Sequence, residues 1–397
     1  RISTCWVLDT YIIHWNCTEI KLIIILSMDM MKQSPQALGL IVATAGVAVA
    51  AAGFFRPMCA ARPDKVASIK PEGVEIIPGA YADIPSELSD SEWTARLRVA
   101  TQVALKAGKA MKIAMLQNKN VAFKGAIDLV TETDRSNERL IFETLRAHFP
   151  DDKFIGEEAS GDAGQIDALT AEKTWVVDPI DGTTNFVHGF PACCVSVGFA
   201  VNRQLTLGVV YDPNQNETFQ TIRGRGAFLN GARQRASGLA DVSRGVVIQE
   251  WGYERTPKGI AAMLAVAEGL LHTGCRGLRQ LGSGCLDLVY VGCGRADAAY
   301  CGVAGESWKP WDYAAGALFA EEAGAVMSTA HGEPFDIFAA SMVCAATPAL
   351  RDELVRQCAK GFAVSSAEEN PNKTLNPYIA GAFANENPKK ALNPYVL

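Results

Sequence analysis

The sequence predicts a layered α+β fold, and three observations carry the prediction. Residues 93–118 place Leu97, Ala100, Val103, Ala104, Ala107 and Met111 at helical spacing, the signature of a long amphipathic helix. Short apolar segments at 175–177, 195–199 and 207–211 are separated by Asn202-Arg203 and by Asp212-Pro213-Asn214, which are hairpin and turn signals. In the second half, helical patterns at 259–272, 286–292, 313–323 and 348–359 alternate with brief apolar strands. This succession describes helices laid against sheets, with a strand meander concentrated between 175 and 230. A further helix is expected from Ser136 to His148.

Composition narrows the function classes. The chain has 397 residues, 49% of them hydrophobic and 20% charged, with a formal net charge of −6. At roughly 150 residues per domain, this length allows about two to three domain-equivalents and a sizeable core. Disordered, collagen-like and multi-span membrane classes are excluded. The mild negative charge gives no basis for binding a phosphate backbone, so no nucleic-acid partner is expected. Eleven cysteines include no Cys-x-x-Cys pair and read as buried free thiols of a reducing compartment.

The two ends read differently from the middle. The first methionine is Met28, and residues 1–27 lack a steady period, so they are expected to be leader sequence ahead of the true start. A genuine N-terminal extension is the alternative. Lys32 precedes an uncharged run from Ala37 to Phe55 that ends in small residues, so 28–56 reads as a signal or targeting segment. The same nineteen residues could just span a bilayer, which makes 37–55 the one expected membrane contact. Their Ala and Gly content supplies little apolar area for an anchor. The exit from Ala50 to Pro57 resembles the bipartite plastid presequences of algae with complex plastids. That resemblance implies an organellar, plastid-type location after removal of the segment; a membrane-tethered or cytoplasmic protein is the alternative. Prolines at 57, 63, 71, 78 and 85 mark 57–90 as linker. At the other end, the ten residues 369–378 recur 17 residues later as 386–395, each copy beginning Glu-Asn-Pro and closing on Leu-Asn-Pro-Tyr. Two copies are too few for a solenoid, and 361–397 reads as a flexible repeat-bearing tail or, alternatively, a docking peptide.

The chemistry concentrates in Trp175-Val-Val-Asp178-Pro-Ile-Asp181-Gly182-Thr183-Thr184-Asn185. An apolar strand ends in Asp-x-x-Asp, and Gly-Thr-Thr-Asn then opens a helix. A strand end fixes Asp178, and Pro179 bends the exit so that Asp178 and Asp181 can point to one place. Facing carboxylates repel unless a hard cation lies between them, and Mg²⁺ takes oxygen ligands that commonly include substrate phosphate. The amides of Gly182 and Thr183 at the helix start would face such a phosphate. The plain alternative is that Asp181 merely caps its own helix. It is outweighed by three further acidic sites: Gly156-Glu157-Glu158 after an apolar pair, Thr131-Glu132-Thr133-Asp134 before the second helix, and Trp311-Asp312 opening a late helix.

At these residues the sequence resembles the inositol monophosphatase family of lithium-sensitive, magnesium-dependent phosphatases, over roughly 93–358. The stretches 178–191 and 311–325 are the specific ones; 156–158 and 130–134 fall in the family's order. The resemblance implies an α-β-α-β-α sandwich, with an N-terminal α+β metal and phosphate sub-domain at 91–236 and a C-terminal α/β sub-domain at 237–360. It implies a site with two to three Mg²⁺, held by Glu157, Asp178, Asp181, Asp312 and the Ile180 carbonyl. Gly182 and Thr183 would bind phosphate; Thr183 and Glu157 would hold the attacking water, and Asp134 would orient Thr183. Ser283, Gly284 and Glu306, with Asp181, would meet the alcohol. The implied partner is a small phosphorylated polyol, most simply inositol 1-phosphate, and the implied assembly a homodimer. Histidinol phosphate, galactose 1-phosphate and fructose 1,6-bisphosphate remain open as substrates, and a non-catalytic metal- or phosphate-binding scaffold is the remote alternative. Two departures touch the alcohol side: residues 301–310 are longer and bulkier than usual, and Tyr253 and Glu254 stand where small hydroxyl residues are common. No cysteine has the Cys-x5-Arg context of a phosphate loop, and none of the five histidines has a histidine or cysteine at i+4 to share a metal.

Overall fold

The computed structural model describes residues 5–8, 11–14, 83–117, 121–123, 129–160, 168–305 and 308–366. The apolar run at 37–55, most of the expected linker, the tail repeats and Glu306 lie outside the described residues. The chain divides into two units, Arg1–Ile69 and Lys70–Leu397. In the first, β1 (Cys5–Leu8) and β2 (Tyr11–His14) pair antiparallel. No helix among the described residues is long and apolar enough to cross a membrane.

The second unit begins with α1 (Ser86–Ser89), whose Leu88 is fully buried, so the last residues of the stretch read as linker join the core. In α2 (Thr94–Met115) the residues predicted to face inward, Leu97 through Met111, are buried. A ribbon of β3 (Val121–Phe123) and β4 (Leu129–Thr131) follows. Helix α3 (Glu132–His148) starts four residues earlier than the sequence pattern suggested. A capping box explains this: Thr131 N–H donates to Asp134 Oδ2 at 2.8 Å, while Thr133 N–H donates to Thr131 Oγ1 at 3.2 Å. Asp134 therefore sits inside the first turn rather than ahead of it.

Strands β5 (Lys153–Gly156), β6 (Thr174–Asp181), β7 (Cys194–Val201), β8 (Gln204–Asp212), β9 (Glu217–Ile222), β10 (Gly226–Leu229) and β11 (Ala232–Arg233) form one sheet in sequence order. Only β5 and β6 run parallel; the rest is an antiparallel meander. Asn202 and Arg203 make the predicted two-residue turn with φ of 51° and 63°, the paired left-handed conformations whose twist suits a hairpin. The short helices α4 (Glu157–Ser160) and α5 (Thr183–His188) leave the ends of β5 and β6. A second sheet contains β12 (Val246–Gln249), β13 (Gly277–Arg279), β14 (Ala298–Cys301), β15 (Val326–Ser328) and β16 (Met342–Ala345), in the order β13-β12-β14-β16-β15. Its parallel strands β12, β13 and β14 need crossovers, supplied by α6 (Pro257–His272) and α7 (Gly284–Gly292). Helices α8 (Pro310–Glu322) and α9 (Pro348–Ser366) complete the unit.

Strand alternation sorts these elements into layers. Trp175, Val177, Val195, Val197, Phe199 and Val209 pack with α2 and α3, while Val176, Cys194 and Val210 face α7 and α8. In the second sheet Ile248, Ala299, Met342 and Cys344 face α7 and α8, and Val247, Tyr300, Val343 and Ala345 face α6 and α9. The result is an α-β-α-β-α sandwich. Both sheets are covered on both faces, which is why their strands read as continuous apolar runs rather than strict alternation.

One contact fixes the middle layer. Gly198 on β7 stands opposite Gly208 on β8, and α8 lies on the pair. A Cβ on Gly198 would fall 2.7 Å from Ala314 Cβ, and one on Gly208 would fall 2.9 Å from Ala315 Cα. Backbone and methyl groups thus set the helix-to-sheet distance, and they bring Asp312, two residues before Ala314, down to the end of β6. Gly208→Val is expected to cost about 1–3 kcal/mol by overpacking, lowering the urea midpoint. It should also weaken stabilisation by added divalent cation, because α8 carries Asp312. A variant with an unchanged midpoint and unchanged cation response would show that α8 does not depend on this contact.

Candidate metal and phosphate site

Three carboxylates converge from two elements. Asp178 and Asp181 leave β6, where the register with β7 shifts between them, and Asp312 lies in the first turn of α8. One oxygen from each lies within 4.8 Å of the others. Asp178 is 2% and Asp181 5% exposed. Each is held by main-chain donors: Ile180 N–H to Asp178 Oδ1 at 3.0 Å, and Lys309 N–H to Asp312 Oδ2 at 2.6 Å. Asp181 accepts from Gly284 N–H at 3.1 Å, and from Cys285 N–H and Ser283 Oγ at 2.7 Å each. It therefore caps a helix, but α7 from the distant part of the chain rather than its own.

Burial raises all three groups above the usual carboxylate range. Asp178 is pushed well up by burial and then by the charges of Glu157, Asp181 and Asp312. Burial raises Asp181 against the pull of its four donors, Ser283, Cys285, Cys194 and Gly284. Asp312 rises to about 7, through burial and then the Asp181 charge, with the Lys309 amide opposing. Like charges out of water demand protons or a cation. The donor set is all oxygen, which fits a hard divalent ion.

Around this cluster the other expected residues fall into place unevenly. Glu157, at the start of α4, lines the same cleft and acts on Asp178 through its charge, outside the set of three. Thr183 Oγ1 lies 3.3 Å from Asp134 Oδ1 and 3.1 Å from the Ile180 carbonyl, so its one proton has two acceptors. Gly182 has φ of 89°, and a Cβ there would meet the carbonyls of Ala192 and Gly282 at 2.8 and 3.0 Å. Ser283 is 1% exposed, with its hydroxyl turned onto Asp181, so the loop presents its main chain to the cleft. The cleft encloses about 1110 Å³. Tyr253, Glu254, Trp308 and Lys309, from the two departing segments, form its rim with Phe190.

A family model for inositol monophosphatases matches residues 92–361. The chain belongs to the inositol monophosphatase family. It is 44% identical to inositol monophosphatase 1 of Solanum lycopersicum over 65% of this chain and 93% of that protein. It is 41% identical to human inositol monophosphatase 2 over 66% and 89%. Among solved structures, the suhB protein of Bartonella henselae superposes with a TM-score of 0.60 at 32% identity, covering 67% of this chain and 99% of that one. The chain is a phosphoric monoester hydrolase.

Within this family member, the sequence reading assigned no role to four polar residues near the site. Glu138, 6% exposed, accepts from Glu158 N–H at 2.8 Å and so supports the turn that carries Glu157. Its like-charge spacing of four from Asp134 was the available signal. Asn185 Nδ2 donates to the carbonyls of Ala192 at 2.7 Å and Leu281 at 2.6 Å, tying the phosphate motif to the alcohol-side loop. Glu250 and Asp287 are buried behind that loop; Asp287, an acid between Leu286 and Leu288, was the visible anomaly.

Metal removal and pH should act together here. A carboxyl whose folded value lies above its value of 3.8 in the open chain binds extra proton in the fold. The metal-free protein therefore loses stability as pH rises from about 4 to about 7. Asp312→Asn should remove part of that loss, and a divalent cation should raise the melting temperature more near pH 8 than near pH 5. Thermal melts of both proteins with and without chelator test this; equal cation shifts at the two pH values would count against the cluster as the binding site.

Proposed function

We propose that the chain hydrolyses a small polyol phosphate, inositol 1-phosphate first, to the free alcohol and phosphate in an Mg²⁺-dependent reaction. The observation that carries this reading is the convergence of Asp178, Asp181 and Asp312 beside Thr183 in one cleft, with the fully buried Asp134 bonded to the Thr183 hydroxyl. Names of the similar proteins support the substrate, and the all-oxygen donor set supports the ion.

Asp178, Asp181 and Asp312, with Glu157 and the Ile180 carbonyl, would hold the ions. Bound Mg²⁺ supplies charge neutralisation for the phosphate and acidifies a water molecule. The chain's own groups do the rest. Asp134 takes up the Thr183 proton as the threonine oxygen accepts one from the attacking water. Glu157 would orient the same water. The Gly182 and Thr183 amides hold the phosphate oxygens. Water oxygen bonds to phosphorus as the ester P–O bond breaks; the water's second hydrogen stays on the phosphate, and the departing alcohol oxygen takes a proton from solvent, to which Asp134 returns the one it accepted. The loop at 282–284 faces the alcohol; no covalent enzyme intermediate is needed.

Phosphate release from inositol 1-phosphate, histidinol phosphate, galactose 1-phosphate and fructose 1,6-bisphosphate, with Mg²⁺ and with chelator, tests the reading. Inositol 1-phosphate should give the highest kcat/KM and chelator should abolish it; failure to turn over any of the four would overturn the proposal. Asp178→Asn is expected to abolish turnover. Thr183→Ala should lower kcat on the order of 10²-fold with KM little changed.

A further inference from the structure

The alcohol side of the cleft rests on one peptide segment, Leu281-Gly282, and both of its edges are bonded. Its carbonyls accept from Asn185 Nδ2, at 2.6 Å for Leu281 and 3.3 Å for Gly282. Its two N–H groups donate to a single atom, Glu250 Oε1, at 2.8 and 2.7 Å. Glu250 follows β12, lines the cleft and is 4% exposed. The Glu250 carboxyl faces that of Asp287, which is fully buried in the first turn of α7. Among the described residues no amide or hydroxyl donor reaches either Asp287 oxygen.

Two buried carboxyls in contact cannot both be charged, so one proton lies between them. The donors decide its place. Glu250 already accepts two amides, which favour its anion, whereas among the described residues no such donor reaches Asp287. Burial and the Glu250 charge push Asp287 well above the usual carboxylate range. Asp287 is thus the neutral acid, and its hydroxyl donates to Glu250.

We propose that Glu250 is a positioning residue for the alcohol-binding loop, with Asp287 as the neutral acid that fixes its orientation. The Glu250 carboxylate holds the two amides from behind while Asn185 holds the two carbonyls from the phosphate side. Cys285, two residues after Ser283, is anchored separately by α7 and keeps its bond to Asp181. Loss of Glu250 therefore loosens the substrate wall more than the carboxylate cluster. The kinetic consequence rests on the phosphatase reading above, whereas the hydrogen bonds do not.

Two measurements on the full chain decide it. With inositol 1-phosphate, Glu250→Ala should raise KM about tenfold while kcat changes by less than about threefold. Glu250→Gln keeps an oxygen for the two amides, and Asp287→Asn keeps a donor for Glu250; both should restore KM to within about threefold of wild type. Independently of activity, amide exchange at Leu281 and Gly282 should accelerate about tenfold in Glu250→Ala and stay near wild type in the two conservative variants. Unchanged exchange in Glu250→Ala, conservative variants no better than alanine, or kcat falling as far as KM rises would each overturn the proposal. If wild type releases no phosphate from inositol 1-phosphate, the substrate reading fails, and the exchange measurement still decides the role of Glu250.

Discussion

The mutual repulsion of two buried carboxylates and a half-buried third is the constraint on which the rest of this structure depends. Asp178, Asp181 and Asp312 would separate if free to do so, and no single element could hold all three. Local bonds fix each group in place: the Ile180 amide for Asp178, the start of α7 for Asp181, the Lys309 amide for Asp312. Those bonds orient the carboxylates but do not bring them together. Convergence comes from tertiary packing, chiefly the approach of α8 to the glycine pair on β7 and β8. Stability is thus committed to holding an electrostatically unfavourable arrangement, which a proton or a cation relieves. The shape of the middle layer and the charge state of the site are therefore one problem.

Much of the fold was legible in the sequence because it depends on periodicity. The helical spacing of Leu97 through Met111 and the Asn202-Arg203 turn are local signals, and the structure realises both. The candidate site was legible through its motif: Asp178, Asp181 and Asp312 do meet. What stayed hidden is what depends on long-range partners. Asp181 could have capped the helix that follows it, and only the folded chain shows that it caps α7, about a hundred residues later. Ser283 lines the cleft, and only the folded chain shows that its hydroxyl donates to Asp181. The early start of α3 was a local miss, since Thr131 and Asp134 form a capping pair visible in the sequence. Glu250 and Asp287 carry no motif at all; their meaning is their contact.

The site divides into a part that tolerates little change and a part that tolerates much. Its carboxylates stand on strand ends and helix starts, where a shift of one residue would turn a side chain away. Tyr253, Glu254, Trp308 and Lys309 stand on connecting segments at the rim, where length and bulk can vary without moving β6 or α8. Asp181 belongs to both parts, because the donors that hold it come from the end of the alcohol-side loop and the start of α7. A change in the loop reaches Asp181 directly through Ser283, Gly284 and Cys285. Two of these three donors are main-chain amides, insensitive to side-chain replacement, and the third is a hydroxyl with one acceptor. This arrangement lets the loop and rim vary around a fixed reaction centre, and it places the burden of keeping the loop in register on the residues behind it.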